Sequence, residues 1–316
     1  MKKYIAAILA VVILAGAAVL AYLVILAADG AFLDDTPKRY TGFAMGSVLE
    51  QTYWNQEHGQ WEAERSERVA RAVAQTEEEL NAAREAPSEL QQLMEASGGA
   101  FNPYLKALTA LWNIDSKDGS PPRVPTEEEI QAALQTKQLD PGAYGKGMAC
   151  DAAWKVLAEA GNDRLPLPKT LVNLGGNICA LGITHEFRIA LRDPKGGPND
   201  TLGLFTFRGT RCISTSGSYE KYFEQGGKRY HHIFDPQTGR PAQRDPGLVS
   251  VTIVSQSGAI GDALSTACFV LGYEASLPLL GQYGADALFI YENGAVKNAG
   301  HARDYFKLQN NAYHWE

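Results

Sequence analysis

Apolar residues recur along the chain in two rhythms, and the change between them falls near residue 170. Before it, Trp61 to Glu95 is rich in Ala, Glu, Arg and Leu and reads as helix with a break at Pro87. Asn102 to Trp112 places Tyr104, Leu105, Leu108, Leu111 and Trp112 at helical spacing behind Pro103. Thr126-Glu127-Glu128-Glu129 has the capping-box pattern of a helix start, and Lys146 to Glu159 reads as a further helix. After residue 170 the apolar runs shorten. Thr170–Leu174, Phe187–Leu191, Leu202–Phe207, Arg211–Thr215, Tyr230–Phe234 and Leu248–Val254 are strand candidates between Gly, Pro and Asp turns. Ile260 to Leu271 returns to helix, and Ala287 to Tyr291 reads as a late strand. Early helices followed by antiparallel-type strands predict an α+β domain rather than alternating βαβ units.

The N-terminus follows neither rhythm. Lys2 and Lys3 precede an uncharged, overwhelmingly apolar run from Tyr4 to Ala28, which as a helix extends ~38 Å. That length spans a hydrocarbon core of about 30 Å with some tilt. It also exceeds the apolar region of about 7–15 residues in a cleavable signal. The expectation is a signal anchor over residues 1–30, with a cleaved signal peptide as the alternative. A polar linker over 31–41 and a single domain over 42–316 follow. Lysines before the span and Asp29, Asp34 and Asp35 after it place the body outside the cytoplasm, on the periplasmic side of the inner membrane.

Composition narrows the classes. Charged residues make up 21% and hydrophobic ones 45% of the 316 residues, an ordinary globular balance. The net charge of −7, with no clustered basic face, argues against a general nucleic-acid binder. The four cysteines form no CxxC pair and sit among apolar or small neighbours. They read as small buried hydrophobes, with one disulfide left open by the expected oxidising compartment.

Several short segments carry chemistry. In Gly261-Asp262-Ala263-Leu264-Ser265-Thr266, Asp262 and Thr266 stand at i and i+4, so both oxygens fall on one helix face. That pair suits a hard cation such as Mg²⁺. Equally, Asp262 is placed to complement a helix start. The stretch Asp140 to Gly147 is a glycine-rich turn into a helix with Lys146 at its mouth, either a phosphate cradle or a plain loop. Asn173-Leu174-Gly175-Gly176-Asn177-Ile178 ends a strand with two glycines, either for close ligand approach or for a tight hairpin. In His231-His232-Ile233-Phe234-Asp235-Pro236, a histidine at a strand end is a candidate general base. Neighbouring strand residues face opposite ways, so His231 and His232 do not share one zinc. His231 is read as exposed or structurally bonded.

In this order, these segments resemble the ApbE-like FAD:protein FMN transferases. The matching stretches are Phe43–Ser47, Gly99–Asn102, Leu139–Asp151, Leu171–Ile178, Ile213–Tyr222, Lys228–Pro241 and Val249–Gly272. The resemblance implies an α+β, T-fold-like domain that uses FAD as substrate and Mg²⁺ as cofactor. It implies transfer of FMN to a threonine of an acceptor protein, a flavin-carrying subunit of a membrane redox complex, with release of AMP. It places the metal on Asp262, Thr266 and the Ala143 carbonyl, with Ser265 assisting. FAD falls on Met45, Ala100, Phe101, Asn102, Asp140, Lys146 and Ile233, and the base role on His232. Two departures stand out. Trp54 to Leu93 lacks the family's Ser/Tyr-containing segment, and Asn102 stands where an acidic residue is usual. An FAD pyrophosphatase yielding FMN and AMP, or a membrane-anchored flavin binder without catalysis, would share the same sites.

Overall fold

A computed structural model describes residues 36–54, 61–115, 119–159, 169–182 and 185–316. The expected anchor and its alternative, the cleaved signal, lie outside the described residues. Among the described residues no helix is long and apolar enough to cross a membrane.

A nine-stranded sheet forms the frame, with its strands side by side in chain order. Its strands are β1 (Lys38–Ala44), β2 (Ser47–Trp54), β3 (Lys169–Leu174), β4 (Asn177–Leu181), β7 (Arg211–Gly217), β12 (Leu248–Ser255), β13 (Asp286–Tyr291), β14 (Ala295–Ala299) and β16 (His314–Trp315). Neighbours pair antiparallel except β14 with β16. Pairing begins at Lys38, inside the polar stretch read from sequence as linker.

Both faces of the sheet are covered. Along β13, Ala287, Phe289 and Tyr291 join the core on the helical side, while Leu288 and Ile290 join the core on the other. The period of two thus gives an unbroken apolar run in sequence. On the helical side lie α1 (Trp61–Ala82), α2 (Ser88–Ala96), α5 (Gly145–Glu159), α6 (Gly258–Leu271) and α7 (Tyr273–Tyr283). The other face packs on a three-stranded sheet of β5 (Glu186–Arg192), β6 (Thr201–Arg208) and β15 (Phe306–Leu308). Two smaller helices, α3 (Lys106–Trp112) and α4 (Glu127–Leu134), enclose a satellite core around Trp112 and Ile130.

The expected break at Pro87 separates α1 from α2. Thr126 and Glu129 close a capping box on α4. The helix expected over 102–112 begins only at Lys106, because the Asn102 side chain accepts from the Tyr104 N–H and holds the chain in a turn. The strand expected over 230–234 is two strands, β9 (Lys228–His231) and β10 (Phe234–Asp235), with His232 and Ile233 in the break. All four cysteines are buried free thiols. Cys179 and Cys212 face each other across β4 and β7, with their sulfurs 2.8 Å apart in a hydrogen bond.

The site depends on how α5 meets α6. A Cβ built on Gly147 would lie 2.1 Å from the Gly258 carbonyl oxygen and 2.8 Å from Asp262 Cβ, so the two helices touch backbone to backbone. Asp151 locks the crossing. Its carboxylate accepts from the Gly258 N–H at 2.6 Å, the Ala259 N–H at 2.9 Å and the Ser257 hydroxyl at 3.0 Å. These are the orphan donors of a helix start, answered by a negative charge at the positive end of the dipole. Gly147→Ala should therefore force the helices apart and lower stability by about 1–3 kcal/mol. Urea unfolding checks this, and an unchanged midpoint would refute the close contact.

Candidate functional site

At the mouth of the α5–α6 crossing, chain segments far apart in sequence converge. The β1–β2 hairpin turns through Met45 and Gly46, both at positive φ (52° and 67°), as a two-residue hairpin loop requires. Glu77 of α1 fixes that turn by accepting from the Met45 N–H at 2.9 Å. The end of the Met45 side chain reaches Gly145, where an added Cβ would stand 3.1 Å from Met45 Cε. The turn at Gly175 and Gly176 lies alongside: a Cβ on Gly175 would collide with Ser47 Oγ and touch Lys146 Cδ. Both are positive-φ glycines that close the β3–β4 hairpin, so tight turn and close approach coincide there.

The predicted flavin-side residues share this neighbourhood. Ala100, Phe101 and Ile233 belong to one buried cluster, with Met45 and Ala143 packed against it. Phe101 meets Tyr144 edge-on. Asp140 caps the short 3₁₀ turn Pro141–Ala143 by accepting from the Gly142 N–H, and it also accepts from the Thr109 hydroxyl at 2.8 Å. Its carboxylate thus shapes the turn that presents Ala143 and Lys146. Asn102 is half-buried.

Asp262 sits 6% exposed on α6, and its Oδ2 accepts from the Gly147 N–H at 3.0 Å. The next amide, Met148 N–H, donates to Tyr144 O, so neither donor is directed at the Ala143 carbonyl. Burial pushes the Asp262 carboxyl up from its ordinary value, opposed by the Lys146 ammonium, the Gly147 N–H and the Asn177 amide. A hydroxyl cluster adjoins it. Ser265 donates to the Asp262 carbonyl at 2.7 Å, and Ser216 Oγ lies 2.7 Å from Ser265 Oγ and 3.3 Å from Thr266 Oγ1. Asn177, only 1% exposed, has a buried Oδ1 with no hydrogen-bond partner. A buried carboxylate, several hydroxyls and an orphaned amide oxygen form an oxygen-rich set that fits a hard cation such as Mg²⁺. A second grouping, Asp151 with Cys179 and Cys212, does not fit that ion. It offers two soft thiols, and its carboxylate already answers the α6 N-terminus.

His232 and Lys146 complete the constellation. The backbone N–H of His232 donates to Lys221 O, and Nδ1 lies 3.2 Å from the same carbonyl. A carbonyl only accepts, so Nδ1 carries the proton and Nε2 holds the free lone pair. Desolvation pulls the His232 pKa down to about 4, and the Lys221 and Lys146 charges push the same way. His232 retains solvent contact, and its imidazole is neutral at physiological pH. Lys146 Nζ donates to Gly175 O at 3.3 Å and bears electrostatically on both Asp262 and His232. Of the two alternatives left for His231, exposed or structurally bonded, the second holds: the residue is buried. Its Nε2 bonds to Ala242 O, its Nδ1 accepts from the Ile233 N–H, and its ring stands edge-on to Phe269.

In the sequence, the stretches holding Ser216, Asn177 and Asp151 assign no role to those three residues. Each acts across a sheet register or a helix crossing, and only the Gly-Gly preceding Asn177 signalled a close approach.

Comparisons with known proteins show the family and the fold. A profile described as the ApbE family matches residues 54–289, and the chain belongs to that family. An FAD:protein FMN transferase of Treponema pallidum is 37% identical over 238 residues, covering 64% of this chain and 64% of the relative. One of Rhodobacter capsulatus is 37% identical over 175 residues, covering 54% of this chain and 31% of the relative. The chain thus spans less than two thirds of the length of these curated relatives. Among solved structures, the ApbE protein of Thermotoga maritima superposes with a TM-score of 0.71 at 25% identity, covering 85% of this chain and 99% of its own. The flavinyl transferase ApbE of Pseudomonas stutzeri gives 0.69 at 26%, covering 87% and 98%. The α+β fold expected from sequence is the fold of these neighbours.

Both histidines should register in the pH dependence of stability. His231 and His232 titrate near 4 when folded, against 6.5 ordinarily, with desolvation the first cause in each. Between those values the unfolded chain takes up protons that the folded one refuses. Stability present above pH 6.5 should therefore fall as pH drops toward 4. Urea midpoints across that range test this, and His231→Gln should flatten the slope. An unaltered slope would place His231 in contact with water.

Proposed function

We infer that the protein transfers FMN from FAD to a threonine hydroxyl of an acceptor protein and releases AMP. The observation that carries this reading is the position of Lys146: its Nζ donates to Gly175 O at 3.3 Å, the next amide, Gly147 N–H, donates to the Asp262 carboxylate at 3.0 Å, and the Lys146 charge bears on both Asp262 and His232. One cation thereby links a candidate metal ligand to a candidate base. A pyrophosphate at this place would meet the Lys146 ammonium at the N-terminal turn of α5, a setting that favours anions. Asp262, Thr266 and the Ala143 carbonyl, with Ser265 assisting, would hold Mg²⁺, which supplies charge neutralisation and Lewis acidity at the phosphoryl group.

His232 Nε2 then takes the proton from the threonine hydroxyl. The threonine oxygen forms a bond to the FMN phosphorus as the bond to the AMP oxygen breaks. A neutral imidazole with its Nδ1–H anchored on Lys221 O is prepared for that role at neutral pH. Met45, Ala100, Phe101, Asn102, Asp140 and Ile233 would bound the rest of the dinucleotide. The hairpin turn at Met45 and the packed Phe101 make that wall rigid. The names of the relatives and the oxygen-rich donor set support this reading. The apolar run before residue 30 supports tethering to the inner membrane, with the catalytic body and its acceptor, a redox-complex subunit, on the periplasmic side.

The test combines residues 31–316, FAD, Mg²⁺ and a flavin-acceptor domain, followed by in-gel fluorescence and intact mass. A fluorescent acceptor heavier by one FMN is expected. Free FMN and AMP with an unmodified acceptor would replace the transferase reading with a pyrophosphatase. FAD binding without either product would leave only a binder. Asp262→Ala should abolish metal-dependent turnover, and full activity of that variant with Mg²⁺ would remove Asp262 from the metal site. Lys146→Ala should weaken FAD binding measured by flavin fluorescence, and unchanged affinity would take Lys146 out of the phosphate cradle.

A further inference from the structure

Asn177 opens β4, immediately after the Gly175-Gly176 turn, and its side chain is 1% exposed. Two neighbours fix it. Its backbone carbonyl accepts from the Cys150 thiol at 3.5 Å, and its amide lies against the Asp262 carboxylate as a donor. Since the NH₂ end faces Asp262, Oδ1 points elsewhere, and there it finds no donor. An amide oxygen buried without a partner costs about 1–3 kcal/mol. Among the described residues, only two other buried side-chain polar atoms are in that position, Tyr144 Oη and Arg211 Nε, and both of those carry protons to give. Among the described residues Asn177 Oδ1 is thus the one unpartnered buried side-chain atom that can only accept, and its side chain stands beside a buried carboxylate.

We propose that Asn177 is a fourth side-chain contributor to the cation site, supplying Oδ1 to the metal while its NH₂ group holds the Asp262 carboxylate in position. This rests on the reading that Asp262 binds Mg²⁺, and it adds a residue to the set of Asp262, Ser265 and Thr266. An amide oxygen is a hard, neutral donor, so it adds to coordination without adding charge. The same group explains why β4 begins where it does. Gly175 and Gly176, both at positive φ, close the β3–β4 hairpin, and β4 starts directly after them with Asn177 against Asp262 of α6. A purely structural asparagine would have both ends of its amide satisfied.

The test is Mn²⁺ binding to the FAD-free body, residues 31–316, followed by electron paramagnetic resonance of the free ion and by the gain in melting temperature on adding Mn²⁺. Wild type, Asp262→Ala, Asn177→Ala and Asn177→Leu are compared. Leucine matches the amide in shape and settles the matter if the alanine variant folds poorly. The expected result is a loss of at least about tenfold in Mn²⁺ affinity in both Asn177 variants, with the Mn²⁺-induced thermal gain reduced in step. Asn177→Asp, which keeps the oxygen, should restore binding. If Asp262→Ala loses Mn²⁺ while the Asn177 variants bind it like the wild type, Asn177 is structural and this inference falls alone. If Asp262→Ala also binds like the wild type, the metal reading falls and takes the inference with it.

Discussion

Gly147 and Gly258 bring the first turns of α5 and α6 into backbone contact, and the site is a consequence of that crossing. At this separation no side chain fits between the helices, so the Gly147 N–H reaches the Asp262 carboxylate directly. Asp151, one turn along α5, fastens the α6 N-terminus with three hydrogen bonds and prevents sliding. The nine-stranded sheet beneath is the platform that keeps both helices at one height. Its strands β4, β7 and β12 pair in unbroken order under α6 and deliver Asn177 and Ser216 from below. Remove the crossing, and Asp262, Lys146 and the hydroxyl cluster have no common reference frame.

Electrostatics then follow from burial. Asp262 is an acid taken out of water with only partial compensation from Lys146 and two N–H donors. Its carboxyl is consequently raised, a condition that a bound divalent cation would reverse. His232 is kept neutral by the same desolvation and by the same lysine. One side of the site therefore calls for positive charge, while the other holds an imidazole ready to accept a proton. These opposing demands suit phosphoryl transfer, in which a charged phosphate must be neutralised while a hydroxyl is deprotonated.

Much of this was legible in the chain before the fold was known. Pro87 marked the α1–α2 break, Thr126 and Glu129 announced the α4 cap, and Asp262 and Thr266 at helical spacing placed two oxygens on one face. Those signals are local, and local chemistry fixes them. The strands β1 and β2 escaped notice because the hairpin exposes Phe43 and Val48 while burying Gln51, which blurs the apolar alternation. Helix α7 was hidden by Pro278 inside it and by Gly272 at its start. His232 was expected at a strand end; it lies in a break between strands, where Asp235 is held by a two-pronged contact with Arg244. The contributions of Asn177, Ser216 and Asp151 are set by pairing between distant segments. No window of sequence contains both members of those contacts.

The central claim is that the buried Asp262 carboxylate marks the cation site and that a dinucleotide phosphate lies against it. Anomalous diffraction from crystals grown with FAD and Mn²⁺ tests this most directly. The account predicts one strong manganese peak between the Asp262 carboxylate and the Thr266 hydroxyl, with the FAD pyrophosphate touching it and Lys146 nearby. A peak at Asp151, Cys179 and Cys212 instead, or FAD bound with no metal at Asp262, would contradict it.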